Sequence, residues 1–223
     1  PNTPNKLAGV SPSDFIPTKP GAAHLQNLFI TENPHPVGMK QNLNSVDDSL
    51  YSRVHEKYHP TIRSFLEKFD YYDIFLIDSE TGHIIYSVFK EVDFATSLLT
   101  GPYKETGFAR AFKAAAASND KNFVKLVDFE PYYPSYNAPA SFIASPVFDG
   151  ERKIGVLVFQ MPINRINDIM TSNQRWQDVG LGETGESYIV GQDFTMRNQS
   201  RILWEDPDRY LEAIRNSDIP VST

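Results

Sequence analysis

Two strand–turn–strand phrases restrict this chain more than any other feature of its sequence. Tyr72-Asp73-Ile74-Phe75-Leu76-Ile77-Asp78 reads as a strand, Ser79-Glu80-Thr81-Gly82 as a turn, and His83 to Phe89 as the returning strand. Ser141 to Phe148, the turn Asp149-Gly150-Glu151-Arg152 and Ile154 to Met161 repeat the plan. Short turns of this kind join antiparallel neighbours, so both phrases predict hairpins rather than parallel strands. Between them, Phe108 to Ala117 reads as a helix and Phe123 to Phe129 as a short extended piece. Glu130 to Pro139 carries three prolines and three tyrosines and reads as an irregular aromatic loop.

The residues before the first hairpin are helical in texture. Pro1 to about Pro20 reads as a loop or arm, and Ala22 to Ile30 as a short amphipathic helix that Asn33-Pro34-His35-Pro36-Val37-Gly38 must end. Ser45-Val46-Asp47-Asp48 offers a helix start, and Leu50, Val54, Tyr58, Ile62, Phe65, Leu66 and Phe69 follow at helical spacing. Ile163 to Met170 reads as a helix leaving the sheet, with Pro162 at its start. Antiparallel hairpins with helices beside them make an α+β domain. A small antiparallel sheet with a loop-and-helix cover on one face, preceded by a long helix, is a PAS-like arrangement.

Composition removes several classes of function. The 223 residues suffice for one large domain or two small ones, and 40% hydrophobic content supplies a core. Lys+Arg is 21 against Asp+Glu 28, a net charge of −7, which disfavours general binding to nucleic-acid backbones. The chain has no cysteine, so it has no disulfide scaffold, thiol nucleophile or Cys-based metal site. No stretch approaches the roughly 20 apolar residues of a membrane helix. The start at Pro1, without an initiator Met or signal peptide, reads as that of a processed protein or a piece of a longer one.

A second opening of the first kind occurs late. Gly182-Glu183-Thr184-Gly185-Glu186-Ser187-Tyr188-Ile189-Val190 echoes Asp78 to Tyr86, with Phe194 to Arg197 as a partner strand and loop and helix over Arg201 to Ser217. No closing hairpin follows. The expected organisation is therefore an arm and helical region over 1–70, a PAS-like module over 71–170, and a second module begun at 179 and cut short at 223.

One enzyme motif is present by letter. His55-Glu56-Lys57-Tyr58-His59 is HExxH, which places two imidazoles one helical turn apart with a glutamate to act as base on a zinc-bound water. Pro60 follows at once and argues against a helix running on past His59, and no third ligand is placed. The competing reading is a helix that stops at His59 and restarts with Pro60 in its first turn. The sequence has no GxGxxG placed after a strand, no GxxxxGK[ST] phosphate loop and no GxSxG nucleophile elbow. Asp78 reads as a turn residue. The aromatic loop is the most informative chemistry. Asp128, Tyr132, Tyr133 and Tyr136 lie in one stiff segment, and tyrosine gives a ligand an apolar wall and a hydrogen-bonding tip. The same tyrosines equally suit packing on the domain's own sheet.

The run YYDIFLIDSETGHIIYSVFKEVDFATSL at 71–98 resembles the extracytoplasmic double Cache sensor domains of bacterial receptors. So do DFEPYYPSYNAPASFIASPVFDG, GVLVFQMPI and GLGETGESYIVGQDFTMRNQSR, and the resemblance covers roughly Leu25 to Arg201. It implies a sensor, not an enzyme. Such a domain sits between two membrane helices, projects into the periplasm as a homodimer, and sets a long helix beside two PAS-like modules. The distal module binds a small molecule, and a chemoreceptor, histidine kinase or cyclase domain gives the output. One subfamily binds amino acids through an Arg-x-Trp-Tyr motif and an aspartate near the end of the last strand. Here Lys104-Glu105-Thr106-Gly107-Phe108 has neither Arg nor Trp, and Gln160 stands where the aspartate is expected. An amide pairs poorly with an ammonium next to a carboxylate, so a free α-amino acid is disfavoured as ligand.

These readings place a pocket for a small polar ligand between the sheet and the loop over 101–139. Its expected residues are Asp128, Tyr132, Tyr133, Tyr136, Gln160 and, from the second strand, Tyr86, with no catalytic residue, metal or cofactor. The alternatives are a zinc hydrolase built on His55, Glu56 and His59, or a ligand-free module that binds a periplasmic partner protein. Strand alternation adds a geometric expectation. Val156, Val158 and Gln160 share one face, which should look toward 132–136, and Phe159 on the other should pack on the long helix.

Overall fold

A computed structural model describes residues 15–17 and 19–217, and the chain before Phe15 lies outside them. The described residues divide after Pro162 into two compact units.

The first unit opens with α1 (Pro20–Gln26), which runs into a wider turn over Asn27–Thr31. A long helix follows, α2 (Leu50–Phe69), and then β1 (Asp73–Ile77) and β2 (Ile84–Ser87). Next come α3 (Gly107–Ala117), β3 (Lys125–Pro131), β4 (Pro139–Asp149) and β5 (Arg152–Pro162). The strands form one sheet in the order β2-β1-β5-β4-β3, every neighbouring pair antiparallel. Both expected hairpins are present. Asp78 Oδ1 accepts from the Thr81 amide at 2.7 Å and closes the first turn, and Gly150 takes φ +60° in the second.

Alternation along β1 and β5 sorts the two faces. Phe75, Ile77, Val156 and Val158 join the larger core with α3, where Phe108 stacks on Phe142 with centroids 4.8 Å apart. Small residues on α3, Ala109, Ala111 and Ala115, are fully buried and let the helix lie close to the sheet. The opposite face carries Ile74, Leu76, Leu157 and Phe159 against Leu66 and Ile62 of α2. Phe159 stacks on Tyr71 at 4.6 Å and on Phe65 of α2 at 6.1 Å.

The helix α2 differs from expectation at both its start and its middle. Its N-cap is Ser49, whose hydroxyl accepts from the Ser52 amide, and not Ser45. Asp47 instead accepts from the Ser49 and Ser52 hydroxyls at 2.6 and 2.5 Å, which holds the chain ahead of the cap. The helix does not stop at His59: it passes through Pro60 to Asp70, which takes φ 58° as its left-handed C-cap. Pro60 and Glu56 are both exposed, so the amide partner that the Glu56 carbonyl loses is lost on the exposed side of the helix. Leu50, Val54 and Tyr58, the residues that mark helical spacing in the sequence, are exposed, while Ser52, His55, His59 and Leu66 are buried.

The second unit holds α4 (Ile163–Thr171), α5 (Arg201–Glu205) and α6 (Pro207–Arg215). The strand pair expected at 188–197 is reduced to a single antiparallel bridge between Val190 and Met196. The loop before it folds around Arg201. That side chain is 6% exposed and donates to the carbonyls of Gly182 and Gly185, both at 2.9 Å. It also pairs with Glu205 at 2.8 Å and lies over the Trp176 ring. No helix among the described residues is long and apolar enough to cross a membrane.

Candidate functional site

Asp73 opens β1 directly opposite Gln160 of β5, and both side chains are on the α3 face of the sheet. The Asp73 Oδ1 atom accepts from the amides of Ile74 at 2.6 Å and Val88 at 2.8 Å. It thereby turns the chain leaving β2 across the end of the sheet. Burial, and then the neighbouring Asp93, push the Asp73 carboxyl above the ordinary carboxylate range.

The segment that this turn directs, Lys90 to Phe94, covers the sheet end with charged residues. Lys90 takes φ 55° and is 2% exposed. Its ammonium donates to the Ser87 carbonyl and lies over the rings of Tyr86, at 4.4 Å, and Phe94, at 5.1 Å. Burial depresses its pKa. Glu91 is partly buried, and its carboxyl accepts from the Tyr72 hydroxyl at 2.8 Å and the Ser135 hydroxyl at 3.2 Å. Burial, with Asp93 second, pushes it up to about 8. Asp93 is fully buried and accepts the Tyr132 hydroxyl at 2.6 Å. Burial raises it to about 6, against the pull of that hydrogen bond and of the nearby amides of Asp93 and Phe94.

Gln160 completes the network. Its Nε2 donates to Ser135 Oγ at 2.8 Å, so Gln160, Ser135, Glu91 and Tyr72 form one chain of hydrogen bonds under the loop over 132–138. Five buried side-chain atoms among the described residues lack a hydrogen-bond partner: Gln41 Oε1 and His55 Nε2, and, at this network, Asp93 Oδ1, Tyr103 Oη and Gln160 Oε1. Buried polar atoms are nearly always paired, and each orphan costs roughly 1–3 kcal/mol. A groove of about 380 Å³ reaches Glu91 from outside. Ile30, Val37, Lys40 and Lys90 line it together with Tyr133, Tyr136 and Asn137. Tyr136 and Asn137 both hold positive φ, 57° and 60°, which folds the loop back over the site. A second depression of about 380 Å³, by Leu66, Glu67, Tyr71 and Pro162, meets the network at Tyr72.

The residues expected from the sequence fall in different places. Tyr132 and Gln160 are in the buried network, each 1% exposed. Tyr133 and Tyr136 line the groove. Tyr86 is buried on the other side of the sheet, where its hydroxyl meets His59 Nδ1 at 2.7 Å. Asp128 is exposed on β3 and accepts the Phe129 amide at 2.7 Å. Sequence reasoning missed Asp73, Lys90, Glu91, Asp93, Tyr103 and Ser135. The one available signal was a charged run, Lys90 to Asp93, flanked tightly by Val88, Phe89, Phe94 and Leu98.

The HExxH histidines have another role. The rings of His55 and His59 stack at 4.3 Å on the buried face of α2. His59 Nε2 lies 2.7 Å from the Gln41 carbonyl and must be its donor, which leaves Nδ1 to accept the Tyr86 hydroxyl. His55 Nδ1 donates to the Asn44 carbonyl at 2.7 Å by the same logic. Burial, with Lys90 next, lowers His55 to about 3 and His59 to about 4, so both are neutral. They tie the segment over 41–44 to α2. Glu56 is exposed, both His59 nitrogens are engaged, and no group of three metal-ligating residues exists among the described residues. The zinc-hydrolase reading therefore fails on the placement of its own base and ligands.

No protein-family model and no curated protein matches the chain. Its neighbours among solved structures are ligand-binding sensor domains of chemoreceptors and histidine kinases, not enzymes. The ligand-binding domain of the Pseudomonas fluorescens chemoreceptor CtaA, in complex with L-serine, is 14% identical over 90% of this chain and 70% of that one, with a TM-score of 0.40. That of the Pseudomonas aeruginosa PAO1 amino acid chemoreceptor PctC, with GABA, is 14% identical over 90% and 79%, with a TM-score of 0.45. The sensor domain of the V. cholerae histidine kinase DctB is 16% identical over 66% and 56%, with a TM-score of 0.37. At these values the likenesses assign no ligand and no residue role to this chain.

Proposed function

We propose that this chain is the periplasmic sensor portion of a membrane-anchored signal-transduction receptor, and that its first unit binds a small polar molecule. The receptor's output domain, of chemoreceptor, histidine kinase or cyclase type, lies outside this chain. The observation that carries the reading is the trio of buried orphan atoms, Asp93 Oδ1, Tyr103 Oη and Gln160 Oε1, behind a groove that opens beside Glu91. A sheet face covered by loops and furnished with such atoms is built to receive a polar group. The test is a thermal-shift screen of small metabolites. A ligand at 100 times its Kd stabilises by about 2.7 kcal/mol, or roughly 5–10 °C for a chain of this size. Gln160→Leu should abolish the shift. A panel of metabolites that leaves the melting temperature unchanged overturns the reading.

The same receptor class acts as a homodimer, and α2 offers the surface for it. Leu50, Val54 and Tyr58 are 71%, 49% and 51% exposed at successive helical turns. Val54→Glu should shift the sedimentation of the chain from dimer to monomer. A wild-type chain that sediments as a monomer at high micromolar concentration removes this part of the proposal.

A further inference from the structure

The loop over 132–138 is folded on itself and tethered by acids. Within it, the Asn137 amide donates to the Tyr132 carbonyl at 3.1 Å and the Ala138 amide to the Ser135 carbonyl at 2.9 Å. Two side-chain hydrogen bonds run from the loop to the segment over 90–94, and both end on carboxyls. Tyr132 Oη donates to Asp93 at 2.6 Å and Ser135 Oγ to Glu91 at 3.2 Å. The two acids stand two residues apart, Asp93 fully buried and Glu91 at the wall of the groove. Tyr133, Tyr136 and Asn137 of the loop line the same groove. Tyr136 and Asn137 hold positive φ without being glycine, a strain that the closed loop keeps only while it is held down.

We propose that Glu91 and Asp93 form a proton-controlled latch: while one proton is kept between them the loop over 132–138 is held down, and its loss frees Glu91 to the groove, lifts the loop and widens the groove. As regulation of the ligand groove this rests on the ligand-sensing reading, but the movement itself needs no ligand.

The direction of the movement follows from charge. From β1 and the residue before it, Asp73 and the Tyr72 phenol face Glu91, and Lys90 and Asp93 come from its own segment. The phenols of Tyr103 and Tyr132 act on it across the site, and Tyr133 shares its groove. Lys40, also at the groove, has its ammonium on the Asn33 carbonyl at 2.9 Å, and His55 and His59 of α2 are neutral. Lys90, the one cation buried here, donates to the Ser87 carbonyl and is drawn to Asp73. Neighbouring buried acids do not readily ionise together. Protonated, Glu91 donates to one of its two hydroxyl partners and accepts from the other, so its tether holds without a second buried charge. Burial and Asp93 outweigh those two hydrogen bonds and push Glu91 from 4.5 up to about 8. Water in the groove removes both causes. The closed and open forms then differ in proton affinity by roughly three orders of magnitude. The open form gains about tenfold on the closed one per pH unit until the pH reaches the closed-form value, and nothing beyond it.

The chain has no cysteine, so nitroxide labels on Val37→Cys and Asn137→Cys, two groove residues from different segments, report its width. Pulsed electron paramagnetic resonance without ligand, from about pH 5.5 to about pH 9, should show a short distance at the acid end. A longer one should grow about tenfold per unit relative to it and level off above about pH 8. Glu91→Gln should keep the short distance throughout. Asp93→Asn, which removes the second charge, should reduce the longer population at about pH 8. Ser135→Ala, which cuts one tether, should show it already at the acid end. A constant distance in the labelled wild type, or a widening that persists in Glu91→Gln, overturns the latch. So does a widening accompanied by loss of circular dichroism, which is unfolding. A metabolite that binds to a groove of fixed width leaves the ligand-sensing reading standing without the latch. A groove that widens while a broad metabolite screen is silent keeps the latch and removes the ligand.

Discussion

A carboxyl kept protonated by its surroundings titrates in the stability of the whole unit, and Glu91 is the clearest case. Its pKa rises from 4.5 to about 8 in the fold. Between those values the folded chain holds a proton that the unfolded chain has lost, so stability falls as pH rises. Glutamine resembles the protonated acid and does not titrate. Glu91→Gln should therefore match the wild type near pH 4 and gain on it as pH rises to 8, by at most about 1.4 kcal/mol per unit. Denaturant unfolding at several pH values checks this, and a difference that stays flat would mean that Glu91 is ionised in the fold. Tyr86 makes the opposite kind of contribution. Tyr86→Phe removes the donor to His59 Nδ1 while Nε2 remains committed to Gln41, leaving a buried acceptor unpaired at a cost of about 1–3 kcal/mol. Equal stability of the variant and the wild type would show that water replaces the hydroxyl.

Among the elements, α2 and the hairpins show what a sequence makes visible. The hairpins were legible because β-rich residues alternate and the turns carry their own chemistry, as in Asp78 to Gly82 and Asp149 to Arg152. The direction of Gln160 followed from the same alternation. The course of α2 was not legible. Local rules end a helix before Pro60, whereas packing of His55, His59 and Leu66 keeps it continuous on both sides of the proline. The buried charges were hidden for a related reason. Lys90, Glu91 and Asp93 look like a solvated turn until Asp73, fifteen or more residues earlier, binds the Val88 and Phe89 amides and folds the segment inward. One consequence concerns Pro60. Pro60→Ala restores an amide for the Glu56 carbonyl within a helix that is already continuous. It should leave the helical circular dichroism intact and stabilise the chain by about 1–3 kcal/mol. A loss of stability would show that Pro60 shapes α2 rather than merely being tolerated by it.

The molecule as a whole combines two cores of different kinds. The first unit is sealed by aromatic and aliphatic packing on both faces of a five-stranded sheet. The second has little sheet and is organised by one arginine. Arg201 gathers the carbonyls of Gly182 and Gly185, the Glu205 carboxylate and the Trp176 ring, while Glu186 accepts the Arg201 amide at 2.7 Å. Gly185 fits because a Cβ there would lie 2.3 Å from the Leu181 carbonyl oxygen. Replacing this buried guanidinium, which makes three hydrogen bonds, leaves several acceptors unpaired, at a cost of about 3–5 kcal/mol. That cost falls on contacts internal to the second unit. Effects at sites that share no partners add independently, so Arg201→Met should open the second unit and spare the first. Hydrogen exchange reads this directly. The amides of Gly185 and Arg197, bonded to Leu181 and Ile189, should lose protection by roughly a hundredfold or more, while those of Phe75 and Val158 in the sheet keep theirs. Equal loss in both sets would show that the two units unfold as one.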